Sequence, residues 1–178
     1  PLPRINDILD GVVGSKIFTK LDLRKAYHQI PIHPEDIPKT AVATPFGLYE
    51  YVKMPFGLRN ASQTFQRHMD EILKDTKEYC LSYIDDILIF SASEGEHTDH
   101  LKEVLKRLDG AHLVINNDKC EFSKENVDFL GFNISKNGIK PTNTRNKAIQ
   151  LSTEPNNVKE LRRFIGGIGY YHWLIPNL

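Results

Sequence analysis

Apolar and polar positions alternate over residues 16–23 (KIFTKLDL), with Ile17, Thr19, Leu21 and Leu23 set against Phe18, Lys20 and Asp22. That two-residue period predicts a strand. Prolines at 31, 34 and 38 interrupt the next stretch, so 31–39 is expected to run as an extended loop. Residues 40–54 (TAVATPFGLYEYVKM) read as two strands joined by a turn at 45–47. The period then changes. Ala61, Phe65, Met69, Ile72 and Leu73 recur at helical spacing behind Asn60 and Gln63, which resemble a capping box, and predict a helix over 61–76. Two apolar runs, YCLSYI and ILIF, flank Asp85 and Asp86 and predict a strand, a tight turn and a strand. Ser93 and Glu96 are expected to cap a second helix with Leu101, Val104, Leu105 and Leu108 as its buried stripe. Residues 127–134 and Ile139 predict a hairpin around Asn137-Gly138, the strongest short turn signal in the chain. A last helix, capped by Asn157 with Glu160, carries Val158, Leu161, Ile165 and Ile168 on one face.

Strands and helices therefore alternate, and the expected fold class is α+β, with helices on one face of a largely antiparallel sheet. The 178 residues suffice for one large domain or two small ones with an ordinary core. An apolar fraction of 40% and a charged fraction of 26% mark a globular chain rather than a disordered one. No apolar run approaches the roughly 18 residues of a membrane span and nothing at the start resembles a secretory signal, so no membrane partner is expected. Cys80 and Cys120 form neither a disulfide scaffold nor a zinc cluster and are expected as buried thiols in a reducing compartment. The chain opens on a proline and stops shortly after Trp173 and Pro176, which reads as a piece of a longer polypeptide.

Lys and Arg equal Asp and Glu at 23 each. As a sum, that neutrality argues against a nucleic-acid partner. The distribution argues otherwise. From residue 136 onward seven bases (Lys136, Lys140, Arg145, Lys147, Lys159, Arg162 and Arg163) meet two acids, Glu154 and Glu160, giving +5 there and −5 over the first 135 residues. Two unequal solvated faces explain this as readily as an acidic metal-binding body joined to a basic grip.

Asp85 and Asp86 are the most informative residues. A hairpin turn between apolar strands favours Asn-Gly or Asp-Gly, whereas two adjacent carboxylates repel. A solvated turn accounts for the pair alone. Asp22 at the end of another strand changes the balance, since strand ends are where α/β enzymes commonly place ligands. Converging carboxylates need a counter-charge to stay ionised, and hard divalent cations such as Mg²⁺ supply it through oxygen ligands. Two such ions about 4 Å apart hold an attacking hydroxyl and a leaving phosphate in line. Spacing by itself points to phosphoryl transfer and does not separate a polymerase from a nuclease.

The order of FTKLDLRKAYHQI, MPFGLRNASQTFQ, YIDDILIFS and FLGFNI along the chain resembles that of reverse transcriptases, specifically those of gypsy-class long-terminal-repeat retrotransposons. The resemblance covers almost the whole chain. It implies the right-hand polymerase fold: a palm with partial fingers (about 31–55) over 1–140 and the start of a thumb over 141–178. It also implies that Asp22, Asp85 and Asp86 ligate two Mg²⁺ ions, with Mn²⁺ as a substitute, and that the Leu23 carbonyl adds a ligand. Tyr27 matches the aromatic gate that collides with a ribose 2′-hydroxyl, and the amides near Lys25 and Ala26 match those that cradle the triphosphate. A packed aromatic is the plainer account of Tyr27 taken alone. Phe56-Gly57 heads the loop lining the nucleotide pocket; retroviral enzymes usually carry glutamine at the first position, so a polar interaction with the 3′-hydroxyl is not expected here. Lys119, in NNDKCEF, matches a lysine proposed to protonate the leaving pyrophosphate, and an exposed turn lysine explains it equally well. Phe129-Leu130-Gly131 resembles the primer grip, and an apolar core hairpin explains the same letters.

The expected reaction is RNA-directed DNA polymerisation, a nucleotidyl transfer from a deoxynucleoside triphosphate to a primer 3′-hydroxyl. Expected partners are a primer duplexed with an RNA or DNA template, the triphosphates, and the remainder of a Pol polyprotein (protease, ribonuclease H, integrase). The expected location is the cytoplasm, in a retrotransposon particle, or the nucleus. The family's further fingers strands would precede residue 1, Leu151 stands where tryptophan is frequent, and Gly166 replaces a usual leucine. A catalytically inactive remnant that binds nucleic acid or protein is the alternative reading. His97 and His100 lie one helical turn apart without an evident third ligand, which argues against zinc. Arg162 and Arg163 lie off the apolar stripe of the last helix, as a thumb helix facing a duplex or a solvated face would place them.

Overall fold

The computed structural model describes residues 11–151 and 154–174; the opening Pro-Leu-Pro, residues 152–153 within LSTEP, and Pro176 lie outside them. At the centre lies β1 (Ile17–Asp22), paired antiparallel with β5 (Asp86–Ser91) in a register that runs from Ile17 opposite Ser91 to Asp22 opposite Asp86. On its outer side β5 pairs with β4 (Cys80–Tyr83), and β1 pairs with β6 (Glu121–Lys124), giving the order β4-β5-β1-β6. The run ILIF does not alternate because both faces of this sheet are covered. Ile87 and Ile89, with Leu21 and Leu23, pack against Phe65 and Met69 of α1 (Ala61–Ile72) and Val104 and Leu108 of α2 (Glu94–Gly110). On the other face Phe18, Leu88 and Phe90 meet a second sheet of β7 (Asn126–Phe129), β8 (Phe132–Ser135) and β9 (Gly138–Pro141) through Val127, Phe129, Phe132 and Ile134. Full burial of side chains of this size contributes about 1.5–3 kcal/mol each. The expected α+β layering holds, with both helices on one face of the central sheet.

Several local expectations are corrected. Residues 31–39 are not an extended loop throughout: Pro34–Thr40 forms a 3₁₀ helix with Pro34 in its first turn, because proline's fixed φ suits that helix as well as an extended chain. The first helix stops at Ile72 and tightens into a 3₁₀ turn at Lys74–Thr76, where the buried Thr76 hydroxyl donates to the Leu73 carbonyl at 2.9 Å. Asn60 makes no side-chain cap, so the Asn60–Gln63 box is absent. The other two caps form: Ser93 Oγ accepts the Glu96 N–H at 3.4 Å, and Asn157 Oδ1 accepts the Glu160 N–H at 2.9 Å. In α2 only Val104 and Leu108 of the expected stripe are fully buried, and His97 occupies a further buried place.

The predicted single hairpin is two. β7 turns into β8 at Leu130-Gly131, with φ of +50° and +83°, and β8 turns into β9 through Lys136-Asn137, one residue before the expected Asn137-Gly138, with Gly138 opening β9. A β-carbon on Gly131 would lie 3.2 Å from the Tyr171 hydroxyl, so that turn accepts glycine for space as well as for φ. The expected fingers strands form a separate hairpin, β2 (Val42–Thr44) with β3 (Gly47–Tyr49). Two further elements have no signature in the sequence: the mostly exposed β6, and α3 (Asn143–Gln150), whose polar sequence NTRNKAIQ has no apolar period to read. The last helix, α4 (Val158–Gly169), leaves Val158, Leu161 and Ile165 exposed.

Candidate active site

Antiparallel pairing sets Asp22, the last residue of β1, directly opposite Asp86, the first residue of β5. Asp85 precedes it in the two-residue turn from β4, and its carbonyl accepts the Leu23 N–H at 3.3 Å. The segment after α2 closes the other side of β1: Asn116 N–H donates to the Asp22 carbonyl at 2.8 Å, and Leu23 bridges Ile115. That segment carries Lys119 on a short 3₁₀ turn, with its Nζ 3.9 Å from Asp22 Oδ2. Lys119 is largely exposed, so screening keeps this pair weak in solution.

Asp86 is half-buried, and burial pushes its carboxyl above the ordinary range; Lys20 and Lys119 pull it down, while Asp85 and Asp22 push it further up. Among the described residues no group of three His, Cys, Asp or Glu side chains converges closely enough to hold a metal ion. The donor chemistry, all carboxylate and carbonyl oxygen, suits a hard divalent cation that takes its remaining ligands from water or phosphate.

A cavity of about 450 Å³ opens beside these groups, lined by Asp22, Leu23, Lys25, Ala26, Tyr27, Phe56, Asp85 and Lys119. Lys25 adopts φ +48° and starts the 3₁₀ turn Ala26–Gln29. Lys25 and Ala26 line the cavity where that turn begins. The Tyr27 hydroxyl shares a hydrogen bond of 2.8 Å with Ser62 Oγ, and its ring lies edge-on to Phe56 and Phe65 at 5.6 and 5.7 Å.

The sequence-derived set is not all gathered here. Asp86, opposite Asp22, does not line the cavity, nor does Gly57. Phe129 is fully buried in the second core cluster. Leu130 and Gly131 open instead on a larger hollow of about 840 Å³ beside α4, whose walls include Arg145, Arg163, Tyr170 and Tyr171. Tyr170 and Tyr171 tie that turn down by donating to the Leu130 and Gly131 carbonyls at 2.8 and 3.3 Å.

Sequence reasoning missed Arg24, Ile84 and Asn116, which also line the smaller cavity; no spacing signal marks them, because loop closure brings them in. Cys120 is not the buried thiol expected but half-buried, its Sγ 3.5 Å from the Asp22 N–H. The two histidines are structural: His97 bonds Thr19 and Ser91 at 2.7 and 2.9 Å, and His100 bonds Ser91 at 2.8 Å.

Residues 2–134 match the family described as reverse transcriptase (RNA-dependent DNA polymerase). The chain is 46% identical over 178 residues to the retrovirus-related Pol polyprotein from transposon 297 of Drosophila melanogaster, covering 99% of the chain and 17% of that protein. It is 44% identical over 177 residues to the transposon Tf2-3 polyprotein of Schizosaccharomyces pombe, covering 99% of the chain and 13% of that protein. The chain thus spans less than a fifth of the length of these relatives. Among solved structures it is similar to a foamy viral protease–reverse transcriptase in complex with double-stranded DNA, with a TM-score of 0.90, 26% identity, and coverage of 99% of this chain and 32% of that one. The same viral enzyme with an RNA/DNA hybrid aligns with a TM-score of 0.83 and 26% identity over 96% of this chain and 23% of that one. The opposed carboxylates on a four-stranded antiparallel sheet, the order of motifs and these matches converge: the chain belongs to the reverse transcriptase family and carries the palm of the right-hand polymerase fold.

Proposed function

We propose that this chain is the catalytic part of a retrotransposon reverse transcriptase, adding deoxynucleotides to a primer paired with an RNA or DNA template. The observation that carries the reading is Asp22 facing Asp86 across β1 and β5, with Asp85 in the adjoining turn and both Asp22 and Asp85 lining one cavity. Asp22, Asp85 and Asp86 are the carboxylates assigned in this reading to two Mg²⁺ ions. Since the three do not converge on one point by themselves, water and phosphate oxygens would complete each site, and the ions when bound would supply charge neutralisation for the attacking and leaving oxygens. The amides of Lys25 and Ala26, where the 3₁₀ turn begins beside the cavity, are the groups assigned in this reading to triphosphate oxygens. Tyr27, fixed by Ser62, closes the space a 2′-hydroxyl would need. Lys119 stands where it can hold a proton for the departing pyrophosphate. No covalent nucleophile is needed, since positioning and charge compensation carry such a transfer.

The palm and partial fingers extend to residue 140 in this reading, and 141–178 begin the thumb. The turn at Leu130-Gly131 would guide the primer end. The remaining polyprotein supplies further fingers and thumb. In that parent polyprotein, Asp85→Asn is expected to lower primer extension on a poly-rA template by several orders of magnitude. The measurement is incorporation with and without Mg²⁺, and full activity in the variant overturns the assignment.

A further inference from the structure

Gln66, the last residue of MPFGLRNASQTFQ, takes no part in the chemistry above, yet it is 2% exposed on the inner side of α1. A buried amide persists where its partners need it. Here the partners belong to the turn that carries the acids. Gln66 Oε1 accepts the Ile84 N–H at 2.7 Å, and its Nε2 donates to the Ser82 carbonyl at 3.1 Å and to Asp70 Oδ1 at 2.9 Å. Ile84 is the first of the two turn residues between Tyr83 and Asp86 and has φ +56°. That conformation is disfavoured for a β-branched side chain, and hairpins normally place glycine or asparagine there. The Ile84 side chain also packs against the α1–α2 core, which a glycine could not do. Something must therefore hold the strained residue in place, and the Gln66 amide grips both its N–H and the carbonyl two residues before it.

We infer that Gln66 is a positioning residue that clamps the Ile84–Asp85 turn and thereby aims Asp85 and Asp86. The clamp stands on geometry alone; its effect on turnover rests on the polymerase reading above. Amide hydrogen exchange on the 178-residue chain tests the clamp directly. In the wild type the Ile84 N–H, bonded to Gln66 Oε1, is expected to be protected. In Gln66→Leu it is expected to exchange roughly tenfold faster or more, while Ile87 and Ile89 in the central strand keep their protection. Gln66→Met, closer in shape, reads the same amide should the leucine variant fail to fold. In the parent polyprotein Gln66→Leu is expected to lower kcat for primer extension roughly 10- to 100-fold, with KM for the triphosphate changed less than about twofold. Ile84→Gly, which relieves the positive φ, is expected to restore part of that loss in the double variant. Unchanged Ile84 protection, a uniform loss of protection across the sheet, or no rescue by Ile84→Gly overturns the inference. Full activity of Asp85→Asn overturns the polymerase reading instead and leaves the exchange result standing.

Discussion

Tyr27 shows how neighbours hold a single side chain in place. Its hydroxyl is bonded to Ser62 and its ring is braced edge-on by Phe56 and Phe65, so the cavity wall at that point is rigid. Replacing Tyr27 by Ala is expected to raise the relative use of ribonucleotides by roughly 10- to 200-fold, the scale set by filling or emptying a small packed volume. Tyr27→Phe keeps the ring and is expected to retain discrimination within a few fold; the ratio of kcat/KM for deoxy- and ribonucleotides measures both. The two thiols part in the same way. Cys80 is buried on β4, and burial pushes its thiol up to about 12, whereas Cys120 is half-buried beside Asp22. Iodoacetamide at pH 8 is therefore expected to label Cys120 in the folded chain and Cys80 only after unfolding, as peptide mass spectrometry would show. The letters of both cysteines predict burial equally. Only the packing around each separates them.

Between elements, one polar network ties α2 to the central sheet. His97, buried on α2, bonds Thr19 of β1 and Ser91 of β5; Thr19 Oγ1 also accepts the Ser123 N–H of β6 at 3.0 Å, and His100 stacks on Tyr79 at 3.8 Å. Burial, with a smaller contribution from His100, holds the His97 imidazole below its ordinary value of 6.5. The unfolded chain then takes up the proton more readily than the folded one. Stability at this site is intact above about pH 6.5 and is lost as pH falls below it. The melting temperature is expected to drop more steeply between pH 7.5 and 5.5 in the wild type than in His97→Gln, and equal slopes would remove His97 from the account. Amphipathic elements such as α1 and α2 were legible because one side of each is buried. The elements that escaped, β6, α3 and the 3₁₀ helix at Pro34–Thr40, are short, polar or exposed, so burial wrote no period into them.

Across the whole molecule the formal charge of zero conceals a division, acidic over the first 135 residues and basic from residue 136 onward. Arg162 and Arg163 stand exposed on α4, with Arg163 at the edge of the larger hollow. Replacing both by Ala in the parent polyprotein is expected to reduce the slope of log affinity for a template–primer duplex against log salt by about 0.9 for each phosphate that is no longer neutralised. An unchanged slope would show that the basic end does not grip the duplex. The sequence by itself determined the central strands, the helices with a buried stripe and the identity of the three acids, because period and residue type are local properties set by which side meets the core. It could not determine that Asp22 would face Asp86, that Lys119 would come within 3.9 Å of Asp22, or that Gln66 would bond the turn between β4 and β5. Those are contacts between distant parts of the chain. They follow from strand register and from the packing of α1 and the second sheet on opposite faces of β1 and β5, and a choice made by the sum of many non-local contacts leaves no period in the sequence.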